Sequence, residues 1–221
     1  METRLRRRQN LADTRRQLVL DAARSLFAQA GSAGASIREI ARQAGYTPGA
    51  IYAYFDSKEA IYAALLGESL DRLQAVVQAA RAPRQRPDRL LQARALAWFG
   101  FYAAHPRDLE LGFHLAHGTG AQGLTPALKQ QLDDRLCDAL RPCETSLEAL
   151  GLDPAQALSE STALFAHGLG LLMLQHAGQI GTFGQDAETL FRRYLDRLLV
   201  TVAELAALPA AAPGQADLFP P

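Results

Sequence analysis

The sequence predicts an all-α protein in which three short helices lead into a long one and then a bundle of about five. Three observations predict it. Ala, Leu, Arg, Gln and Glu dominate the 221 residues, and strand-like β-branched runs are absent. Apolar residues recur at three- and four-residue spacing along most of the chain. Helix caps and glycine stops separate the segments that carry this period.

In "TRRQLVLDAARSLFAQAG", Leu18, Ala22 and Leu26 lie four apart with Val19, Ala23 and Phe27 beside them, and Gly31 is a C-terminal stop. "SIREIARQAG" follows. Ser36 with Glu39 three later forms a capping box, Ile37, Ile40, Ala41 and Ala44 form the inner face, and Gly45 ends the helix. The near-alternation of aromatics in "TPGAIYAYF" imitates a strand, but Pro48 and Gly49 oppose one. Thr47 can cap a third helix, with Pro48 at its first position. At 100° per residue Ile51 and Phe55 come together, Tyr52 points away, and Ala50, Ala53 and Tyr54 occupy a third sector. One core cannot bury all of these sectors, so at least one tyrosine is expected on the surface.

Asp56 or Ser57 caps the long fourth helix, read over 57–81, and Glu59 complements its N-terminal dipole. "RAPRQRPD" is a linker-like break. Five helices are expected over 88–104, 106–117, 125–150, 153–180 and 186–207, the third kinked or split by Pro142. "HGTGAQGLTP" reads as a glycine-rich connection, and "PAAAPGQADLFPP" as a disordered tail.

Charge balances at 23 basic and 23 acidic residues, yet residues 1–58 hold ten basic against five acidic. A basic N-terminal part on a mildly acidic body suits a polyanion partner; ordinary surface charge is the other reading. Cys137 and Cys143 form no disulfide framework, and in one helix they fall on different faces. "METRLRRRQN" lacks the apolar stretch of a secretory signal. "ALFAHGLGLLMLQHAG", interrupted by His167 and His176, is taken as too short to span a bilayer. The expectation is a soluble cytoplasmic protein with no membrane contact.

Two short helices joined by a tight turn, the second opening on small residues, describe a helix-turn-helix. Such a second helix enters the major groove by its N-terminal end. Gly49 and Ala50 would let the backbone approach DNA, and tyrosine hydroxyls can bond phosphate oxygens. The competing reading makes Tyr52 and Tyr54 half-buried packing aromatics.

The stretch "ARSLFAQAG…SIREIARQAGYTPGAIYAYFDSKEAIYAALL" resembles the N-terminal DNA-binding domain of the TetR family of transcriptional regulators, over roughly residues 14–66. The resemblance implies a one-component regulator, usually a repressor, that binds palindromic double-stranded operator DNA as a homodimer and responds to a small-molecule effector. Its expected layout is a flexible basic arm over 1–13, a helix-turn-helix domain over 14–58, a ligand-binding and dimerisation domain over 59–207, and a tail over 208–221. By resemblance Arg38 sits at a frequent base-reading position, and arginine can bond guanine O6 and N7 together. Ser36, Tyr52, Tyr54 and Lys58 match positions that touch phosphate, while Thr47, Pro48, Gly49 and Ala50 match those nearest the bases. Ala50 replaces a polar residue that many members carry. Arg4, Arg6, Arg7 and Arg8 could reach the minor groove or backbone, or merely solubilise.

In the second domain the sequence says less. Trp98, Phe99, Phe101, Tyr102, Phe113, His114 and His117 concentrate in two segments, with Phe165 and Met173 further on. Such a cluster suits an apolar ligand pocket, or an ordinary core. His114 and His117, near His105, Asp108 and Glu110, complete no metal-ligand pattern, so no metal is expected. No nucleophile–base pair and no cofactor loop is visible, so neither catalysis nor a cofactor is expected. The alternative is a helical-bundle small-molecule binder or enzyme that does not touch DNA. "HGLGLLML", with His167, Leu171 and Leu174, and the stripe Leu195, Leu198, Leu199 and Val202 are expected to form the dimer interface. If they do not, the stripes fill the monomer core.

Overall fold

A computed structural model describes residues 2–30, 36–83, 85–117 and 124–207. In chain order the helices are α1 (Glu2–Ala30), α2 (Ile37–Ala44), α3 (Pro48–Ile51), α4 (Lys58–Ala79), α5 (Pro87–Ala104), α6 (Pro106–His117), α7 (Pro126–Glu148), α8 (Pro154–His176) and α9 (Ala187–Ala207). A short 3-10 turn, Ile180–Phe183, follows α8. None of the described residues is in a strand. The tail from 208 and most of the glycine-rich connection lie outside the described residues.

The chain divides into two compact units. One joins Met1–Val76 to Phe101–Ala139; the other joins Val77–Gly100 to the chain from Leu140 onward. This division by packing does not follow the expected functional layout of 14–58 and 59–207. The first turns of α4 belong with the N-terminal helices because they bury Ile61, Tyr62, Leu65 and Leu66. The Tyr62 ring lies 5.7 Å from that of Phe27 in α1, and Arg24 of α1 is paired with Glu68.

The second unit is organised around an aromatic core. Trp98 lies edge-on to Phe165 at 5.3 Å, and Phe99 stacks on Phe191 at 4.5 Å. Aromatic pairs in these arrangements contribute about 0.5–1.5 kcal/mol each beyond their area. Asp153 starts α8 through a reciprocal cap with Gln156, with Pro154 at the first helical position. The helix stops at His176, short of the expected 180, because Gly178 turns left-handed at φ +70°. Asp186 accepts a hydrogen bond from the Thr189 backbone N–H at 2.8 Å and opens α9. The same bond holds the Asp186 carboxyl below its usual pKa.

Three further expectations need correction. The arm over 1–13 is not flexible coil: α1 begins at Glu2, since no Gly or Pro interrupts residues 2–30 and good helix formers fill them. Of the kink or split expected at Pro142, the split does not occur: α7 runs through it as one helix. The Arg94 guanidinium and the Ser146 hydroxyl both donate to the Pro142 carbonyl, at 2.6 and 3.0 Å. Finally, α8 is long and apolar enough, by length and composition, to cross a membrane. Its inward residues Ala157, Leu164, Gly168 and Leu172 are nonetheless packed inside the second unit, as in a core helix.

The two cysteines differ in reactivity. Burial pushes the Cys143 thiol up to about 12, whereas Cys137 is exposed. Only a thiolate attacks disulfide reagents. A thiol-titrating reagent at pH 8 is therefore expected to label Cys137 in the native chain and to reach Cys143 only after denaturation. Rapid native labelling of both would contradict this packing.

Candidate nucleic-acid interface

Helix α2 is held at both ends. The Ser36 hydroxyl accepts from the Glu39 backbone N–H at 3.3 Å, and the Ser36 backbone N–H donates to the Glu39 carboxylate at 2.8 Å. These bonds lower the Glu39 pKa, so the cap is ionised at neutral pH. At the other end Gly45 adopts φ +75°, a left-handed conformation that disfavours any side chain. The Tyr46 backbone N–H then donates to the Ala41 carbonyl at 2.8 Å. This closes the turn. Thr47 caps α3, its hydroxyl accepting from the Ala50 N–H at 3.3 Å, with Pro48 next.

The resulting pair of helices is two-faced. Ile40, Ala41, Ile51 and Phe55 are buried, while Ser36, Arg38, Thr47, Pro48, Gly49 and Tyr52 are exposed. Tyr52 is 55% exposed, so the helical period assigned it correctly to the outer side. Ala50, Tyr54 and Lys58 are half-buried. A Cβ on Gly49 would meet nothing within 4 Å, so the protein itself does not require glycine there. Among the described residues Arg38 makes no hydrogen bond or ion pair, which leaves its guanidinium available. Ser36 differs, because its hydroxyl also donates to the Glu39 carboxylate at 2.8 Å. Lys58 opens α4, where Ser57 caps by accepting from the Ala60 N–H at 3.0 Å. The Lys58 ammonium lies 5.5 Å above the Tyr62 ring.

Two residues of α1 that sequence reasoning passed over belong to this surface. Arg15 lies beside the Tyr54 side chain, which raises the guanidinium's pKa. Arg16 lies over the Phe55 ring at 4.9 Å. The segment after α3 is therefore clamped to α1 by two cations. Their signal was present in "TRRQ", two basic residues immediately before the apolar stripe, but only the fold brings them to Tyr54 and Phe55.

The expected ligand-pocket residues separate into two groups. In the first unit Phe101 and Tyr102 are buried and Phe113 is half-buried. His114 meets the Tyr62 ring edge-on at 5.9 Å, and its buried Nε2 has no hydrogen-bond partner among the described residues. In the second unit Trp98 and Phe165 belong to the aromatic core, while Met173 is 51% exposed. The side chain of His117 lies outside the described residues. No group of three or more His, Cys, Asp or Glu among the described residues could hold a metal ion.

The expected dimer residues also divide. Leu171, Leu195, Leu198 and Val202 are buried within the single chain, which leaves them almost no surface for a partner. The stripe on α9 is an inward face. His167, Leu174 and Leu199 are half-buried, and His167 stacks on Tyr194 at 4.1 Å. The outward side of α8 instead carries Leu158, Thr162, Ala166, Gly170 and Met173. Periodicity located the apolar positions but could not say which of two apolar faces turns inward.

Comparison with known proteins adds to this geometry. Residues 19–65 match the model of bacterial regulatory proteins of the tetR family. Residues 91–198 match the tetracyclin repressor-like C-terminal domain. The HTH-type transcriptional regulator BetI of Rhizobium meliloti is 32% identical over 111 residues, 44% of this chain and 55% of that protein. The HTH-type transcriptional repressor AcnR of Corynebacterium diphtheriae is 40% identical over 63 residues, 28% of this chain and 33% of that protein. The chain thus spans about half the length, or less, of these relatives. Among solved structures, a TetR family transcription regulator from Marinobacter aquaeolei shares the fold with a TM-score of 0.59 at 17% identity. That match covers 89% of this chain and 97% of the other. A protein of unknown function from Rhodococcus sp. RHA1 superposes with a TM-score of 0.69 at 22% identity, covering 86% and 95%.

Proposed function

This chain belongs to the tetR family of bacterial regulatory proteins, and from that premise we propose that it is a cytoplasmic transcriptional repressor. It binds palindromic operator DNA as a homodimer, is released by a small effector held in the C-terminal helices, and catalyses no reaction. One observation carries the reading. Helix α2, the glycine turn and α3 bury Ile40, Ala41, Ile51 and Phe55 while presenting Arg38, Gly49 and Tyr52 outward. That is the geometry of a helix whose N-terminal end reads a major groove. In this reading Arg38 and the opening of α3 face the base edges, and Tyr52 and Lys58 take phosphate oxygens. Ser36, Thr47, Pro48, Ala50 and Tyr54 support or flank those contacts.

The dimer is assigned to the outward stripe of α8, where Ala166 and Gly170 permit close approach between Leu158 and Met173. Half-buried His167, Leu174 and Leu199 lie at its margin. The effector is assigned to the first unit, beside the side chains of Phe101, Tyr102, Phe113 and His114, the last with a buried Nε2 that has no hydrogen-bond partner among the described residues. A ligand acts on DNA binding only by preferring one arrangement of the two recognition helices over the other.

Substitution tests the DNA surface. Tyr52→Phe removes one phosphate-bonding hydroxyl and is expected to weaken operator binding several-fold, matching about 1 kcal/mol for one hydrogen bond. Lys58→Ala is expected to weaken it as well and to make the salt dependence shallower, by a slope of about 0.9 for each phosphate contact removed. Unchanged affinity of both variants at matched salt would refute the assignment. Tight ligand binding without DNA affinity would favour a small-molecule carrier instead.

A further inference from the structure

Among the described side chains of α1, the buried ones lie in its C-terminal half. Its buried residues, Val19, Leu20, Ala22, Ala23 and Phe27, all lie after residue 18. From Gln9 to Leu18 every residue is exposed except half-buried Ala12, and Arg6 and Arg7 are exposed as well. Yet the helix continues to Glu2. Residues 2–16 contain six arginines against Glu2 and Asp13. Arg4 stands three and four residues before Arg7 and Arg8, so a helix sets like charges on one face, which works against it in isolation. A polyanion beside it removes that penalty.

The place where this segment leaves the body is defined. Arg16 lies over the Phe55 ring at 4.9 Å, with Arg15 beside Tyr54. Both partners follow α3 directly. The basic segment before Arg15 is therefore continuous with the candidate DNA surface. At 1.5 Å per residue, the fourteen residues before Arg16 span about 20 Å, the length of roughly six base pairs.

We propose that the N-terminal half of α1 is a second DNA contact, a basic helix that lies against the phosphate backbone outside the half-site read by α2 and α3. The proposal rests on the DNA-binding reading above. It assigns the extension to affinity and salt dependence rather than to base reading, because arginines presented along a helix to phosphates carry no sequence code. The extension lengthens the protected DNA on both sides of a palindrome.

The test compares the full chain with a variant carrying Arg4→Gln, Arg6→Gln, Arg7→Gln and Arg8→Gln. Glutamine keeps helix propensity and removes charge. The probe is a duplex that the full chain selects from a randomised pool, made with long flanks and with flanks trimmed by six base pairs per side. Affinities are measured from 50 to 300 mM salt. The expected results are a salt slope shallower by about 0.9 per lost phosphate contact in the variant, and flank trimming that weakens the unsubstituted chain but not the variant. Base preferences should be unchanged. Equal slopes together with equal flank dependence would overturn the proposal while leaving the regulator reading intact. Failure of the full chain to select any duplex would instead refute the regulator reading. Anionic vesicles that bind the full chain, but not the variant, more tightly than long-flank DNA does would assign the helix to a membrane surface and overturn the proposal too.

Discussion

Gly168→Ala destabilises the protein, whereas Gly100→Ala, the same change in another helix, stabilises it. A Cβ at position 168 would come within 2.6 Å of Trp98 Cζ3 and 2.9 Å of Phe191 Cε2. Both rings are fully buried, so neither has open space to move into. Overpacking of this kind costs about 1–3 kcal/mol. Helical alanine returns roughly 0.5–1 kcal/mol over glycine, too little to offset it. At Gly100, exposed and with nothing within 4 Å of a built Cβ, only the favourable part remains. For a chain of this size 1 kcal/mol moves Tm by about 2–4 °C. Thermal melts of the two variants should therefore shift in opposite directions. A Gly168→Ala melt at or above the parent value would mean that the Trp98–Phe191 core is not packed as described.

Met173→Glu is expected to leave the fold intact and dissolve the dimer. Met173 is 51% exposed in the single chain, so a carboxylate there meets water as long as the chain is alone. Between two copies of α8 it would place like charges in an apolar seam and bury them without a partner. A dimer that grips two half-sites gains from the high effective concentration of its second reading head, so its loss should lower operator affinity by about 10²–10⁴-fold. Leu195→Ala provides the contrast. Leu195 is 1% exposed, and its truncation should cost stability, about 2–5 kcal/mol, before it affects assembly. A Met173→Glu chain that remains dimeric by sedimentation would remove α8's outer stripe from the interface.

Much of the DNA-binding end was legible in the sequence because local chemistry specifies it. Ser36 with Glu39, Gly45, and Thr47 with Pro48 each encode a cap or turn within a few residues, and each appears in the structure. Tyr52 emerged on the surface because a four-residue helix can bury only one side. What the sequence could not convey depends on partners distant in the chain. The attachment of Arg15 and Arg16 to Tyr54 and Phe55 is a tertiary fact about positions forty residues apart. The same holds for α9, where Leu195, Leu198 and Val202 form a stripe that fits a dimer seam and a monomer core equally well until α8 is in place. Glycine showed the same limit. Gly168 lies within the stretch expected at the dimer interface, but the space beside it is taken by Trp98 and Phe191. Pro142 did not end α7, which continues through it, although proline supplies no N–H to the carbonyl four residues before it.

Sequence-specific recognition of DNA by a two-chain assembly can be measured by titrating the protein onto a palindromic duplex selected from a randomised pool and onto a scrambled duplex of equal length, at one physiological salt concentration. Saturation is expected at two chains per palindromic duplex, with affinity at least about 10³-fold above that for the scrambled one. Equal affinity for both duplexes, or saturation with a single chain, would contradict it.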